Sequence, residues 1–470
     1  MDNLLLRKIP KIDVLLSSPM LEKLCDKYPY ALVKDTAQAF IGEIRRDVIS
    51  GRMKNVPSAA QAAEEIALRL EAEDIYSLKR VINATGIVLH TNLGRAPLGK
   101  AAAAHIAGIA EGYSNLEYDL DQGGRGSRYA HIERLLCSAT GAEAAFVVNN
   151  NAGAVFLMLN TLASGKKVAV SRGELVEIGG SFRIPEIMTR SGAELMEVGT
   201  TNKTHPVDYE AALDAGAEVL LKVHASNFRI TGFTESVDVQ ALAAMARARD
   251  ALIIYDMGSG FLFPCEALGF TQGECPAGKA VRDGADLVSF SADKLMGSAQ
   301  AGIIVGKKEL IEKLKKNHLA RMLRIDKLSL AALEYTLKNS ISPELAAEHI
   351  PALKMLTKSE SQCLDDARTL EKAIRAGAFR VETQVLPIED EAGGGSLPGI
   401  TFPGAAVAVS VEGMEAAELE EKLRHRRVPV IARIHRQSVL FSTRTLSPED
   451  HEEIAAALGE ITLKGGGRGK

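Results

Sequence analysis

The 470-residue chain has no tryptophan, and aromatic residues make up only 5% of it. Aromatic packing is therefore sparse, and small side chains carry more of it. Alanine and the 41 glycines are plentiful, as in α/β enzymes whose helices pack closely on a sheet. There are five cysteines, Cys25, Cys137, Cys265, Cys275 and Cys363, an odd number with no CxxC pair. That argues against a disulfide framework or a structural zinc site and fits a reducing, cytoplasmic setting. The ten histidines show no metal-ligand spacing, so no metal is expected. No run is long and apolar enough to span a membrane, and the opening "MDNLLLRKIPKIDVLL" lacks the apolar stretch of a signal peptide. The net charge of −4 gives no global sign of nucleic-acid binding, which would have to rest on a local patch.

What is present falls into regions. Length alone implies two or three domains. Residues 1–62 read as a helical unit: "SSPMLEKLCDKY" offers a capping serine followed by proline, and "LVKDTAQAFIGEIRRDVISG" has helical apolar spacing ending in glycine. Ten basic residues there (Arg7 to Lys54) outnumber seven acids, against the acidic balance of the whole chain. Residues 63–80 read as a linker helix. From 81 to 335, short apolar strands ("AAFVVN", "KVAVS", "ELMEVG", "VLLKVH", "LIIYD", "LVSFS", "GIIVG") alternate with helices. This alternation predicts an α/β domain with a mostly parallel sheet, whose ligands bind at the carboxyl ends of the strands. Residues 336–470 read as a smaller α+β domain, with "EDEAGGGSLPG" as a loop inside it.

Three strand ends carry chemistry. "LIIYDMGSG" delivers Asp256, "LVSFSADK" delivers Lys294, and "FVVNNNAGAVF" opens a helix through Asn150, Asn151, Ala152 and Gly153. Each is ordinary alone: strand-end aspartates cap helices, lysines snorkel to solvent, and most helix N-termini bind nothing. Together they supply what pyridoxal phosphate needs, namely a lysine for a Schiff base, an acid for the ring nitrogen and an N-terminus for the phosphate. Ser291 can add a hydroxyl to the phosphate cup, and small neighbours leave room for a flat ring. The order phosphate turn, aspartate, lysine is that of the enzyme class typified by aspartate aminotransferase, fold type I. His224 ends another strand and either contacts the cofactor or is a satisfied structural histidine. Arg95, Arg125, Arg128, Arg321 and Arg324 suit oxyanions, although most arginines are solvated or paired. Arg321 and Arg324, three apart on an expected helix, would share a face.

Longer motifs, "INATGIVLHTNLGRAPL", "NNNAGAVFLMLNTLASGKKVAVSRGELVEIGGSFRIPEI", "GTTNKTH", "KVHASNFRITGFT", "SADKLMGSAQAGIIVGKK" and "GGGSLPG", resemble the bacterial selenocysteine synthases, the L-seryl-tRNA(Sec) selenium transferases. Two departures occur beside the lysine: Ala292 replaces a usual glycine, and Ser298–Ala299 a usual Gly–Pro. The resemblance implies conversion of seryl-tRNA(Sec) to selenocysteinyl-tRNA(Sec) by loss of water and addition of selenium from selenophosphate. It implies Lys294, Asp293 and Arg95 as catalytic residues. Arg95, Arg128, Arg321 and Arg324 would hold selenophosphate, and the N-terminal domain would hold the tRNA. It also implies a homodecamer, a pentamer of dimers. The competing expectation is a pyridoxal-phosphate lyase or aldolase acting on a small amino acid or sugar acid.

Overall fold

The seven apolar segments expected as strands pair into one sheet in the computed structural model, which describes residues 3–53, 55–73, 76–178, 182–270 and 273–465. Its order is Ala144–Val148, Gly302–Gly306, Leu287–Ser291, Leu252–Gly258, Val219–Val223, Lys167–Ser171, Glu194–Val198. Only Gly302–Gly306 runs antiparallel to its neighbours. Most of these strands are apolar along their whole length because helices cover both faces. One layer buries Leu242, Ala243 and Leu333, and the other buries Val155, Met158 and Leu159. The crossings are short, so the carboxyl ends of the parallel strands all open on the same edge, where Asp256, His224 and Lys294 emerge.

A second sheet of five strands has the order Ile82–Ala84, Val430–His435, Ser438–Ser442, Ser396–Val411, Val381–Gly393. It recruits Ile82–Ala84 from ahead of the large sheet, in parallel with Val430–Ala432. The segment "EDEAGGGSLPG", expected as a loop, is instead the end of a long hairpin. Glu389–Gly393 leads out, Ser396–Gly399 leads back, and only Gly394 and Gly395 make the turn. Both turn residues have positive φ, which glycine adopts without strain.

The chain divides into two units, Met1–Arg80 and Val81–Lys470. In the first, Ser18 caps the helix Pro19–Leu24 through Leu21 N–H, as its sequence suggests. The helix Tyr30–Ile49 buries Val33, Ala37, Phe40, Ile41 and Ile44 on one face. The helix Ala59–Glu73 lays Ala62, Ala63, Ile66 and Leu70 into that same core, so it belongs to the packing of this unit.

Candidate active site

Lys294 follows the Leu287–Ser291 strand and is only 4% exposed. Its ammonium makes no ion pair among the described residues. Burial, then the nearby Arg95 charge, lower its pKa, while Asp256, Asp293 and Glu274 oppose this less strongly. The surface snorkel is thereby excluded: this amine is held inside and pushed toward its neutral form.

Asp256 is buried in the adjacent strand. Its Oδ1 accepts from Asn151 Nδ2 at 2.8 Å and from Ser289 Oγ at 3.2 Å. Burial raises its pKa, and these two donors together with the Lys294 charge pull it back. Asn151 thus turns its side chain to the acid. Asn150 caps the helix Asn151–Leu162 by accepting Gly153 N–H at 2.8 Å. The cap does not engage the N–H groups of Asn151 and Ala152, which remain directed out of the helix start. His224 donates its backbone N–H to Asp256 O at 2.9 Å. Burial, then the Lys294 and Lys222 charges, lower its pKa to about 4, so its ring is neutral. Ser291, buried, ends the lysine's strand.

Asp293 Oδ2 accepts from Arg95 Nη1 at 2.7 Å. Arg95 itself has φ +61, left-handed, directly after Gly94 at φ +90. A non-glycine residue held there costs on the order of 1 kcal/mol and marks an over-determined position. The other arginines divide. Arg128 and Arg324 converge on Glu117, through Arg128 Nε at 3.0 Å and Arg324 Nη1 at 3.4 Å. Arg125 lies 3.9 Å from the same carboxylate. Arg321 is exposed and makes no ion pair among the described residues. The expectation that Arg321 and Arg324 share a helix face is corrected. The helix Leu319–Met322 stops at Leu323, whose carbonyl accepts Asn149 N–H at 2.8 Å, and Arg324 bridges to Val148. Strand pairing at the end of Ala144–Val148 wins over the helical pattern. The departure at Ser298 is accommodated by a bond from Thr336 Oγ1 at 3.0 Å.

Reading the sequence missed several residues. Glu117 carries no motif. Ser226 lies beside the lysine next to Gly258, and the hairpin tip folds over both: a Cβ at Gly395 would lie 3.6 Å from Lys294 Nζ and 3.5 Å from Ser226 Oγ. Glu274 sits in a loop with no periodicity, yet is buried beside this tip. Unpaired buried polar atoms gather on these segments: His90 Nδ1, Asn151 Oδ1, His224 Nδ1, Ser226 Oγ, Ser259 Oγ, Glu274 Oε2, Asp293 Oδ1 and Ser396 Oγ. Orphaned polar atoms are costly without a partner, so their concentration marks space for a polar ligand. The buried amine, the braced carboxylate and the open helix start match the amine-, ring- and phosphate-binding needs of pyridoxal phosphate.

Comparison with known proteins agrees. The chain matches the family described as L-seryl-tRNA selenium transferase over residues 81–447, and selenocysteine synthase N terminal over residues 6–45. It is 46% identical to the L-seryl-tRNA(Sec) selenium transferase of Aquifex aeolicus, covering 97% of this chain and 99% of that protein. The enzyme of the same name from Geobacter metallireducens is 45% identical, with 97% and 99% covered. Among solved structures, a D-glucosaminate-6-phosphate ammonia-lyase superposes with a TM-score of 0.55 at 21% identity, over 85% of this chain and 98% of that one. That likeness concerns the fold, which is aminotransferase-like, fold type I. By sequence, the chain belongs to the L-seryl-tRNA selenium transferase family.

Proposed function

We propose that this chain converts L-seryl-tRNA(Sec) to L-selenocysteinyl-tRNA(Sec) with pyridoxal phosphate held by Lys294, Asp256 and the Asn150–Gly153 turn. The observation that carries the reading is the buried Lys294 amine, set near both Asp256 and Asp293, in a chain of this family. The cofactor, when bound, takes up the electrons freed as the Cα–H bond breaks, which lets the seryl hydroxyl leave and selenium add at Cβ. Asp256, braced by Asn151 and Ser289, is the charge partner for the ring nitrogen. The neutral ring of His224 contacts the cofactor without competing for its protons. Lys294, shielded from water and favoured as a free amine, takes the Cα proton. The proton that Lys294 takes from Cα then goes to the departing hydroxyl, which leaves as water, and Asp293, with Oδ1 unpaired and Oδ2 held by Arg95, is placed to orient that transfer as a hydrogen-bond acceptor.

Selenophosphate is a compact oxyanion and needs cations that the protein has not already neutralised. Arg321 is exposed and has no ion-pair partner among the described residues, and Arg95 is shared with one carboxylate. Arg128 and Arg324 reach the anion by releasing or sharing Glu117. Residues 1–62, together with the rest of the Ala59–Glu73 helix packed into the same core, serve tRNA binding. Arg7, Lys8, Lys11, Lys34, Arg45 and Arg46 are all exposed there, suiting contacts to a phosphate backbone. Residues 81–335 and 336–470 form the catalytic and small domains. No described helix is long and apolar enough to cross a membrane. We place the enzyme in the cytoplasm as a homodecamer, a pentamer of dimers. The exposed Phe228, Ile230 and Phe233 in one loop support self-association.

The test is conversion of seryl-tRNA(Sec) with selenophosphate by the purified protein. Selenocysteinyl-tRNA(Sec) is the expected product. Rapid turnover of a free amino acid or sugar acid with none of that product would replace this reading by the lyase one.

A further inference from the structure

The hairpin that covers Lys294 is held differently along its two arms. The outgoing arm is fixed by Val88 N–H to Glu391 O at 3.1 Å and Leu89 N–H to Ala392 O at 2.7 Å. On the return arm, Leu397 N–H donates to Glu274 Oε1 at 2.6 Å, a side chain 123 residues away. Leu397 is a buried non-glycine residue at φ +50. Such a backbone is strained and persists only where its surroundings hold it. Two residues earlier is Gly395, where an added Cβ would lie 3.6 Å from Lys294 Nζ, so the turn is in direct contact with the amine. Glu274 and Leu397 also form part of the wall of a cavity of about 530 Å³, which His224 and Tyr255 line as well.

Glu274 is an expensive way to make one hydrogen bond. Its second oxygen, Oε2, is buried and unpaired. Burial raises its pKa to about 7, with Leu397 N–H and the Lys294 charge offsetting only part of the effect. A carboxyl kept in so poor a place, half satisfied and in the field of the reacting amine, belongs to the site rather than to the core.

We propose that Glu274 is a positioning residue for selenium transfer: it pins the return arm at Leu397 so that the Gly394–Gly395 turn stays over the Lys294 amine and keeps water from it. This rests on Lys294 being the reactive amine. Glu274 acts on the hairpin, and the hairpin shields the lysine.

The full-length, cofactor-loaded protein provides the test, with Glu274→Ala removing the acceptor and Glu274→Gln keeping it without a charge. Amide hydrogen exchange is followed over 393–399, alongside kcat, KM and the near-visible cofactor absorbance. In E274A, exchange at 393–399 should rise at least about tenfold and kcat should fall about tenfold. The absorbance and cofactor content should be unchanged. E274Q should stay within about threefold of the parent in both exchange and kcat. Unchanged exchange in E274A overturns the proposal. So does an E274Q variant as slow as E274A, since that would make the charge and not the hydrogen bond decisive. Should E274A not fold, Glu274→Asp, whose carboxyl falls about 1.5 Å short, replaces it with the same expected direction. A parent enzyme that makes no selenocysteinyl-tRNA(Sec) would instead defeat the proposed function, while the exchange comparison would still report on the hairpin.

Discussion

Two buried cations, Lys294 and Arg444, lie in the same unit and are finished in opposite ways. Arg444 is 1% exposed and faces Asp390 at 0%. Its Nε meets Asp390 Oδ2 at 3.2 Å, Nη1 donates to Met355 O and Lys358 O, and Nη2 donates to Pro403 O. Asp390 Oδ1 accepts from Ser442 Oγ at 2.9 Å, with Arg433 at 3.5 Å. Gly86 and Gly404 press against the carboxylate so closely that a Cβ at either would collide with it. Around Lys294 the reverse holds: the amine has no ion pair, and polar atoms on every surrounding segment lack partners. A saturated buried charge joins parts of a fold, whereas one with open valences awaits a ligand.

The sharpest way to break this contrast is substitution of each cation. Lys294→Ala should reduce selenocysteinyl-tRNA(Sec) formation to background and remove the near-visible absorbance, with the denaturation midpoint barely altered. Arg444→Met should do the opposite. Stranding Asp390 should cost about 3–5 kcal/mol in denaturant unfolding, and whatever protein remains folded should keep its absorbance. Loss of stability in the first variant, or loss of cofactor from folded protein in the second, would erase the distinction.

Next in size is Asp256→Asn, which keeps the shape and removes the charge braced by Asn151 and Ser289. Turnover should fall by about 10²–10⁴, read in single-turnover assays, with seryl-tRNA(Sec) binding intact. Deleting Met1–Arg80 should leave absorbance in place and abolish tRNA retention on filters. The cut belongs at Arg80 because removing 1–60 alone would strand Ile66 and Leu70 of the Ala59–Glu73 helix. Arg321→Ala should weaken selenophosphate use about tenfold without altering the absorbance, and equal loss of both would contradict its role.

The smallest effect is a pH dependence of stability. His224, depressed to about 4, contributes stability above its unfolded pKa that is lost as pH falls from about 6.5 to 4. Glu274, raised to about 7, contributes stability below its unfolded pKa that is lost as pH rises from about 4.5 to 7. The two slopes oppose each other across most of that window. Replacing His224 by Asn should therefore uncover a fall in stability with rising pH between about 4.5 and 7, measured by urea midpoints. A flat profile in that variant would deny Glu274 its raised pKa.

Much of this was readable in advance because it is local. All seven strands of the large sheet are short apolar runs between turn residues, and Asp256, Lys294 and Asn150 sit at their ends. The hairpin was not readable. Pro387, Pro398 and Pro403 and the glycines at 393–395 lower strand propensity. They are tolerated because Val381–Gly393 is an edge strand and the Ser396–Val411 ladder to Ser438–Ser442 spans only Ala406–Val409. Glu274 was hidden for the same reason, since its contact with Leu397 on a distant hairpin leaves no trace in spacing. The Arg321–Arg324 pair misled because a helical interval of three is only meaningful while the helix continues.

The hairpin's length has a mechanical consequence. Its 13-residue outgoing strand spans roughly 40 Å at about 3.4 Å per residue. By that length, a tilt of about 2° at its root moves the glycine tip by roughly 1.4 Å, half a hydrogen bond. Over such a length the bonds from Val88 and Leu89 to Glu391 and Ala392, close to the turn, set where the tip lies beside Lys294 more firmly than the distant root does. A strained grip by Glu274 at the far end is where that motion would be damped.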